Sequence, residues 1–403
     1  MDSIIKQLAT QEPWEKFLAY RLKKGRFNWR KFNDADDFVA NKSYIPTALE
    51  LIRGMSLGVP RKITINKIGT DKKRVVYMFD KDKVEFLKLI SYLLYKYDCC
   101  FAPNCFAFRR GIRVCEAIRS IHKSVKYKSM WAYKVDIQNY FNSISISILL
   151  PQLKKILADD VLLYDFFKRL LNDNRAEENG TIVYGLRGVM AGVPTAPFLA
   201  NVYLHEMDHY FDQKGVIYAR YSDDIIVFAN DYNLLLEYIS TIKIFLDKYN
   251  LRVNPTKERI YTPDEAYDFL GFKCYGEKID ISNIGIEKMK KRIRRKARSI
   301  LRWKKRKNKS SEVAQIRLIK YFNGKFFECS GNRNILTWAR WYLPVINCDE
   351  GLRKIDHYLQ QYLRVLNTGR HTKSNYRTTY FDLKKIGYKS LVHEYYEYKN
   401  RPK

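Results

Sequence analysis

Two short apolar runs that flank a pair of acids constrain the fold of this chain more than any other feature. Residues 216–221 and 225–229 are apolar and β-prone, and Ser222, Asp223 and Asp224 lie between them. Runs of this length, bounded by turn residues, predict two strands. Because Asp is common in tight turns, one interpretation is an ordinary exposed hairpin. This pair of acids alone therefore does not separate a turn from a functional site.

A third acid favours the functional interpretation. Residues 131–135 predict a buried strand, and this strand ends in Asp136. Three carboxylates near the ends of adjacent strands repel one another unless cations lie between them. Magnesium prefers oxygen ligands, and two such ions can hold the attacking and leaving oxygens of an in-line displacement. Asp136, Asp223 and Asp224 are therefore candidate ligands of two Mg²⁺ ions.

The order of predicted elements indicates the fold class. In the middle of the chain the order is β-α-α-β-β-α-β, which is typical of an antiparallel sheet backed by helices in an α+β fold. A charged, turn-rich segment joins the β-like runs 63–65 and 75–79 and predicts a hairpin. The predicted helices cover residues 82–97, 112–126, 149–172, 195–211 and 232–249. Beyond residue 281 the chain is predicted to be all-helical.

The net charge favours a polyanionic partner. The 403 residues include 74 Lys and Arg against 43 Asp and Glu, a formal net charge of +31, and 15% of them are aromatic. A folded protein with this excess repels itself unless a polyanion is near, and nucleic acid is the usual one. The alternatives are a soluble basic protein and a membrane-surface binder. The longest apolar stretch, residues 86–97, is interrupted by lysines and is too short to span a bilayer.

One segment concentrates this charge. Residues 285–309 contain 14 Lys and Arg and a single acid, Glu287. A solvated helix face usually mixes charge signs, and this segment does not. It is therefore predicted to follow a phosphate backbone. The predicted binding residues are Arg294, Arg295, Arg298 and Arg302.

Seven motifs between residues 63 and 272 carry a resemblance to a known family. Asp136 with Phe141 resembles the first palm motif of reverse transcriptases, and Tyr221-Ser-Asp-Asp224 is similar to their tyrosine-x-Asp-Asp box. Five more segments resemble finger and palm motifs of group II intron, retron and related bacterial enzymes, namely Lys72-Lys-Arg74, Phe106-Ala-Phe-Arg-Arg-Gly111, Gly192-Val-Pro-Thr-Ala-Pro197 with Phe198-Leu-Ala-Asn201, Asn254-Pro-Thr-Lys257 and Phe269-Leu-Gly-Phe272. The resemblance implies a right-hand polymerase with fingers, an antiparallel palm and an all-helical thumb.

The resemblance also implies roles for the palm residues. Asp136 and Asp223 would bind both metal ions, with Asp224 assisting. Phe141 would clash with a ribose 2′-OH and so favour deoxynucleotides, although core packing is a compatible interpretation. Lys257 would lie near the leaving pyrophosphate as a proton donor, and a plain surface lysine is the alternative.

In the fingers, the resemblance implies a triphosphate site. Arg74 would hold the incoming dNTP, aided by Lys72 or Arg109, because guanidinium geometry suits phosphate. A solvated finger charge is the alternative interpretation for these residues.

One palm motif departs from the family pattern. Met190 and Ala191 stand where the family has Pro-Gln before Gly192, and Ala196 replaces a Ser. Ala191 and Gly192 are still expected at the dNTP site. Because the family's Gln lies beside the nascent base pair, this departure bears on fidelity and template use rather than on metal chemistry.

The motif positions predict three regions. These are an N-terminal helical extension (1–62), fingers and palm (63–281), and a basic helical thumb with the C-terminal region (282–403). Residues 1–11 contain no long apolar run, and no C-x-x-C pair occurs among the seven cysteines. We therefore expect a cytoplasmic protein with reduced thiols. His205-Glu-Met-Asp-His209 matches a zinc-protease pattern, but no third-ligand motif follows, and a structural helix is expected.

The predicted function is RNA-directed DNA synthesis, with an RNA template, dNTP substrates and a DNA product. The alternatives are an untemplated or protein-primed DNA synthase and a non-catalytic RNA-binding chaperone. We find neither the nuclease motif of intron-encoded enzymes nor the retron signatures, and residues 380–396 resemble the C-terminal end of free-standing antiphage-defence reverse transcriptases. A role in defence is therefore expected, with a dedicated non-coding RNA as one candidate template.

Overall fold

The structure of the chain, a computed structural model, describes residues 2–24, 29–66, 73–185, 188–327 and 337–400. The chain forms two compact units. The first unit comprises Met1–Ala117 and Ser129–Pro263, and the second comprises Ile118–Lys128 and Asp264–Lys403.

The strands belong to three sheets. They are β1 (Arg61–Asn66), β2 (Lys73–Met78), β3 (Trp131–Asp136), β4 (Arg175–Glu178), β5 (Thr181–Tyr184), β6 (Tyr218–Tyr221), β7 (Asp224–Ala229), β8 (Arg259–Tyr261), β9 (Tyr267–Phe269), β10 (Phe272–Tyr275) and β11 (Lys278–Ile281). The first unit holds a sheet of order β2-β1-β4-β5 and a sheet of order β6-β7-β3-β8, called the palm sheet below. The second unit holds a sheet of order β11-β10-β9.

Helices make up most of the remaining described chain. They are α1 (Ile4–Gln7), α2 (Gln11–Lys24), α3 (Trp29–Ala40), α4 (Ile45–Ile52), α5 (Lys81–Leu93), α6 (Val114–Val125), α7 (Tyr140–Ser143), α8 (Ile146–Ile156), α9 (Val161–Asn172), α10 (Ala196–Tyr203), α11 (His205–Gln213), α12 (Tyr232–Lys248), α13 (Asn283–Arg306), α14 (Ser311–Phe326), α15 (Trp338–Tyr342), α16 (Glu350–Thr368), α17 (Tyr380–Lys385) and α18 (Leu391–Lys399). Short 3₁₀ segments lie at Leu94–Cys100, Pro255–Lys257 and Lys373–Arg377. Within the described residues, no helix combines the length and apolar character needed to cross a bilayer.

The palm sheet is antiparallel throughout, with β3 and β7 at its centre. Ile225, Ile226 and Val227 of β7 are fully buried, because side chains on both faces of this strand meet apolar neighbours. Helix α12 packs against β3 and β7, and α11 packs against β6. The predicted α+β fold, with an antiparallel sheet backed by helices, is therefore confirmed.

The fingers hairpin and the helix over residues 195–211 differ in detail from the prediction. The hairpin strands β1 and β2 pair from Arg61 with Met78 to Asn66 with Lys73, so each strand is longer than predicted. The predicted helix is two helices, α10 and α11, which meet at Leu204. This residue has φ −112° and ψ 10° and is fully buried.

The compact units divide the chain at other points than the predicted regions. The N-terminal helices lie in the first unit, where the Ile4 backbone N–H donates to Asp160 Oδ2 at 2.7 Å. The sheet β11-β10-β9 lies in the second unit with the C-terminal helices. The compact units are defined by which elements pack together, whereas the predicted regions were bounded by the positions of sequence motifs.

Helix α13 follows strand β11 in the second unit. The Ser282 hydroxyl caps it by accepting from the Gly285 backbone N–H at 3.1 Å. The helix buries an apolar stripe at helical spacing, formed by Ile286, Met289, Ile293, Ala297 and Ile300. Packing of this stripe against α14 and α16 explains how so basic a segment holds a helical conformation.

Candidate active site

The structure brings the three predicted acids to one end of the palm sheet. Asp136 is the last residue of β3 and is paired in register with Asp224, the first residue of β7. Asp223 lies in the two-residue loop that joins β6 to β7, closed by pairing of Tyr221 with Asp224. The Ile137 backbone N–H donates to the Asp223 carbonyl oxygen at 2.9 Å and fixes this loop beside the end of β3.

The backbone of this loop is left-handed at its first position. Ser222 has φ +64°, a conformation that two-residue hairpin loops use because it matches the twist of the paired strands. The loop directs consecutive residues, Asp223 and Asp224, to the end of the sheet. The Tyr-Ser-Asp-Asp segment is thus a tight turn and an acidic site at once.

Burial and neighbouring carboxylates raise the pKa of two of these acids, Asp223 and Asp224. Burial first, and then the charge of Asp136, raise the pKa of Asp223. Burial is also the largest cause for Asp224, with Asp223 and Asp136 contributing, and the pKa of Asp224 rises to about 6. A cluster of this kind favours any cation that can lie among the carboxylates.

One such cation comes from the chain itself. Lys257 Nζ lies 2.5 Å from Asp136 Oδ2, and Asn254 Nδ2 donates to Asp136 Oδ1 at 3.3 Å. Burial lowers the pKa of the Lys257 ammonium, but the hydrogen bond and charge of Asp136 outweigh it, and the pKa is raised. The sequence motif 254–257 indicated Lys257; the contact of Asn254 with Asp136 was not predicted.

The donor set fits a divalent metal. Asp136 and Asp223 supply carboxylate oxygens, the ligands that Mg²⁺ prefers. In the described parts of the chain, no three His, Cys, Asp or Glu side chains are already grouped as a metal site, and the Lys257 ammonium compensates the charge of Asp136. The residues that would hold the metal are therefore Asp136 and Asp223, with Asp224 adjacent.

Replacing Lys257 by Gln is expected to tighten Mg²⁺ binding by about tenfold, because a metal ion no longer competes with the ammonium for Asp136. Calorimetric titration of the nucleic-acid-free protein with Mg²⁺ measures this change. Lys243→Gln is the matched control, since Lys243 pairs with Glu258 at 3.0 Å on the same palm. Equal Mg²⁺ affinity for Lys257→Gln and the wild type would contradict competition at Asp136.

A buried ion pair supports the loop from behind. The side chains of Arg220 and Asp208 are fully buried, and Arg220 Nε donates to Asp208 Oδ1 at 2.8 Å. Arg220 Nη1 also donates to the Ser222 carbonyl oxygen at 3.3 Å, and the Tyr218 hydroxyl donates to Asp208 at 3.0 Å. Sequence reasoning did not assign this role to Arg220, although a lone arginine in an apolar strand run was a usable signal.

Residues 188–192 pack closely against the backbones of Phe141 and Tyr77. A Cβ on Gly188 would lie 2.0 Å from the Phe141 carbonyl oxygen, and the Gly188 φ of +73° disfavours other residues. At Gly192, φ is +103° and a Cβ would approach the Tyr77 carbonyl oxygen to 3.2 Å. The Tyr77 backbone N–H donates to the Ala191 carbonyl oxygen at 2.9 Å. Gly192 was indicated by its motif, whereas Gly188 was missed.

Ala191 and Phe141 differ in how much they face open space. Ala191 is only 2% exposed, so its methyl group is buried rather than open to a dNTP. Phe141 is half-buried, with its ring centroid 6.1 Å from that of Phe108, which in turn is 6.4 Å from that of Tyr221. These rings form an aromatic cluster that includes the first residue of the Tyr-Ser-Asp-Asp segment.

A polar cleft of about 580 Å³ opens beside Phe141. Its polar lining is formed by amide and hydroxyl side chains and one guanidinium, including Gln138, Asn142, Ser143, Asn250 and Arg252. Ile144, Ile146 and Gly188 complete the lining. Such groups suit a hydrogen-bonding ligand of high polarity.

The two predicted finger arginines have different surroundings, since Arg74 is exposed and Arg109 is bound by other residues of the protein. Arg74 is exposed on β2, whereas Lys72 lies outside the described residues. Arg109 donates bidentately to Asp98 at 3.0–3.1 Å and also to the carbonyl oxygens of Ala102 and Cys105. Because its donors are already directed at protein acceptors, Arg109 holds the finger loop together, and the expected contact with a triphosphate is not supported.

The His205–His209 segment is structural. His205 Nδ1 donates to the Val202 carbonyl oxygen at 2.7 Å, and His209 Nε2 donates to the Cys100 carbonyl oxygen at 2.9 Å. Glu206 accepts from Lys248 Nζ at 2.8 Å and from the Tyr249 hydroxyl at 2.6 Å. These contacts hold α11 against the neighbouring segments of the first unit.

The predicted nucleic-acid residues lie on α13 of the second unit. Arg294, Arg295, Arg298 and Arg302 are all exposed. Their guanidinium groups are therefore accessible to a phosphate backbone.

Comparison with known proteins identifies the family. The sequence model described as "Reverse transcriptase (RNA-dependent DNA polymerase)" matches residues 65–274, more than half of the chain. A 91 kDa protein encoded in the cob intron of Schizosaccharomyces pombe is 25% identical over 261 residues, which are 50% of this chain and 32% of that protein. The retron Ec83 reverse transcriptase of Escherichia coli is 28% identical over 124 residues, which are 28% of this chain and 36% of that protein.

Among solved structures, the telomerase of Candida albicans, in complex with a fragment of telomeric RNA, is similar to this chain with a TM-score of 0.46. Its sequence identity is 12%, and the match covers 90% of this chain and 70% of the telomerase. The chain spans only about a third of the length of the two sequence relatives named above. The ordered motifs, the acids at the end of the palm sheet and the match over residues 65–274 lead to one conclusion: this chain belongs to the reverse transcriptase (RNA-dependent DNA polymerase) family.

Proposed function

We propose that this chain is an RNA-directed DNA polymerase that adds dNTPs to a primer 3′ end on an RNA template. The observation that carries the proposal is the pairing of Asp136 with Asp224 across β3 and β7, with Asp223 in the adjoining loop. Binding of RNA alone does not require clustered carboxylates with raised pKa values. Membership of the family supports the same activity.

In the proposed mechanism, Asp136 and Asp223, with Asp224 assisting, would hold two Mg²⁺ ions. When bound, such ions neutralise phosphate charge and activate the attacking and leaving oxygens of an in-line displacement. Lys257 exchanges its contact with Asp136 for one with the pyrophosphate, to which it gives a proton. Arg74 holds the triphosphate from the fingers side.

Phe141→Ala is expected to raise the use of rNTPs relative to dNTPs by about tenfold or more, because the ring fills the space of a 2′-OH. The measurement is the ratio of kcat/KM for one rNTP and its matching dNTP. Phe108→Ala is the control, since Phe108 belongs to the same aromatic cluster but is not proposed to face the sugar. If the Phe141 variant folds and keeps the wild-type ratio, Phe141 is a packing residue only.

The proposed partners are an RNA template, which can be a dedicated non-coding RNA, and the DNA product. Arg294, Arg295, Arg298 and Arg302 would contact the phosphates of the template–product duplex. Such contacts carry no sequence information and weaken with salt.

Incorporation with and without a defined RNA template tests the proposal. Product that matches the template sequence supports RNA-directed synthesis. Equal incorporation without template would favour an untemplated or protein-primed synthase, which the buried Ala191 at the family's Gln position permits. Binding of RNA with no incorporation would favour a chaperone.

We also propose that the enzyme acts in the cytoplasm of a bacterium, in antiphage defence. The support is the resemblance of residues 380–396 to the C-terminal end of free-standing defence reverse transcriptases. Sequencing the nucleic acid that copurifies with the protein tests this role, and a self-splicing intron as the bound RNA would contradict it.

A further inference from the structure

A cationic cleft of about 580 Å³ lies between α13 and α14 in the second unit. Its polar and aromatic lining is formed by Lys296, Ser299, Arg302, Trp303, Arg306 and Arg317. Four of them are cations, and the lining includes no carboxylate among the described residues. Cations gathered around one cleft repel one another, so an anionic ligand that enters the cleft relieves the repulsion.

The cleft also contains a stacked arginine. Arg317 Cζ lies 4.1 Å from the Trp303 ring centroid, so the guanidinium covers one face of the indole. Arg317 is exposed, and a guanidinium plane that lies on an aromatic ring keeps its opposite face for a second planar group. Nucleobases stack on arginine planes in this way.

This cleft is distinct from the other basic face of α13. Arg294 and Arg298 lie near Tyr362 of α16, where their charges oppose the rise in the Tyr362 pKa that burial causes. Lys304 Nζ donates to the Leu366 carbonyl oxygen at 2.8 Å and to Ser311 Oγ at 2.7 Å, so this cation stabilises helix ends. The basic residues of 285–309 therefore differ in their contacts, because the Lys304 ammonium is already bound by acceptors of the protein itself.

We propose that the α13–α14 cleft binds single-stranded RNA, with one nucleobase stacked on Arg317. Lys296 and Arg306 hold the phosphates on either side of that nucleotide. A planar guanidinium supported by an indole selects a ligand with exposed bases, and the bases of a duplex are already stacked on one another. The cleft is a second strand-binding site, and only the choice of RNA as the ligand rests on the proposed function.

The test compares the full-length wild type with Arg317→Lys, which keeps the charge and removes the plane. The probe is a fluorescent oligouridylate of about ten nucleotides, a length within the range that single-strand sites cover. Arg317→Lys is expected to weaken its binding by about tenfold, the effect of losing one base stack. Arg340→Lys, the same change at an exposed arginine of α15 in the same unit, is expected to leave this affinity unchanged. Circular dichroism confirms that each variant is folded.

Further probes separate base stacking from charge. For a ribose-phosphate strand of equal length without bases, and for an RNA duplex, Arg317→Lys is expected to bind as the wild type does. Equal losses for all three probes, or no loss for oligouridylate, would overturn the proposal. An acidic peptide that displaces oligouridylate from the wild type but not from Arg317→Lys would assign the cleft to a protein partner instead.

A crosslinking measurement does not depend on the variants. Oligouridylate that carries 4-thiouridine is expected to crosslink to peptides within residues 296–317, and crosslinks confined to the first unit would contradict the proposal. Both measurements omit dNTPs and divalent metal. Failure of strand binding at this cleft is therefore distinguishable from failure of the proposed polymerase activity.

Discussion

Replacement of Asp223 and Asp224 together by Ala is expected to reduce dNTP incorporation by at least about a thousandfold, because the side chains that would hold the metal ions are lost. RNA affinity is expected to stay within about twofold of the wild type, since the phosphate contacts lie elsewhere. Single-turnover incorporation and filter binding measure the two quantities on one preparation. Asp231→Ala is the control, because Asp231 is an exposed acid that caps α12 at the other end of β7.

The same acids give a pH dependence of stability with a defined sign. The pKa of Asp224 is raised from 3.8 to about 6 in the folded state, so between about pH 4 and pH 6 the folded protein holds a proton that the unfolded chain releases. The contribution of Asp224 to the free energy of unfolding therefore falls as pH rises through this window. Without divalent metal, Asp224→Asn is expected to be more stable than the wild type at about pH 7.5 by about 1–3 kcal/mol, and equal to it at about pH 4. A variant destabilised at the higher pH would contradict the cost of burial and charge repulsion inferred for the Asp224 carboxylate.

Arg220→Met is expected to lower the free energy of unfolding by about 3–5 kcal/mol, because it leaves the buried Asp208 carboxylate without its cation. The double variant Arg220→Met with Asp208→Leu is expected to recover most of this loss, since apolar side chains replace both charges. Chemical denaturation measures both effects. Lys248→Gln, which breaks an exposed ion pair with Glu206 on α11, is expected to change stability by less than about 1 kcal/mol.

The double variant also separates stability from positioning. Arg220 donates to the Ser222 carbonyl oxygen in the loop that holds Asp223. A stable double variant is therefore expected to incorporate dNTPs about tenfold more slowly, with the loss in kcat rather than in KM. Full activity in the stable double variant would show that the ion pair only fills the core.

The sequence predicted the palm because apolar runs and acids alternate there in a simple way. Residues 216–221 and 225–229 are apolar, whereas the turn between them is polar. This contrast in polarity was enough to predict β6, β7 and the loop that contains Asp223. Asp136 could be placed beside Asp224 because acids at adjacent strand ends tend to share an edge. The family motifs fixed which strands are neighbours, which periodicity alone does not determine.

Other features depend on contacts that no local pattern encodes. Arg109 resembles a phosphate ligand in sequence, and only the fold directs it to Asp98 and to backbone carbonyl oxygens. Gly188 is required by the backbone of Phe141, a residue far from it in the chain. The sequence of the basic segment 285–309 shows only a dense run of lysines and arginines. It does not show that Arg317, on another helix, lies over Trp303 and completes a cleft.

Incorporation of single nucleotides on a primed RNA template tests RNA-directed DNA synthesis most directly. Each dNTP is supplied alone, with Mg²⁺, opposite each of the four template bases. An RNA-directed DNA polymerase is expected to add the complementary dNTP at least about a hundredfold faster than the others, and Asp223→Ala with Asp224→Ala is expected to add none. Addition of the same dNTP whatever the template base, or addition by the double variant at the wild-type rate, would contradict it.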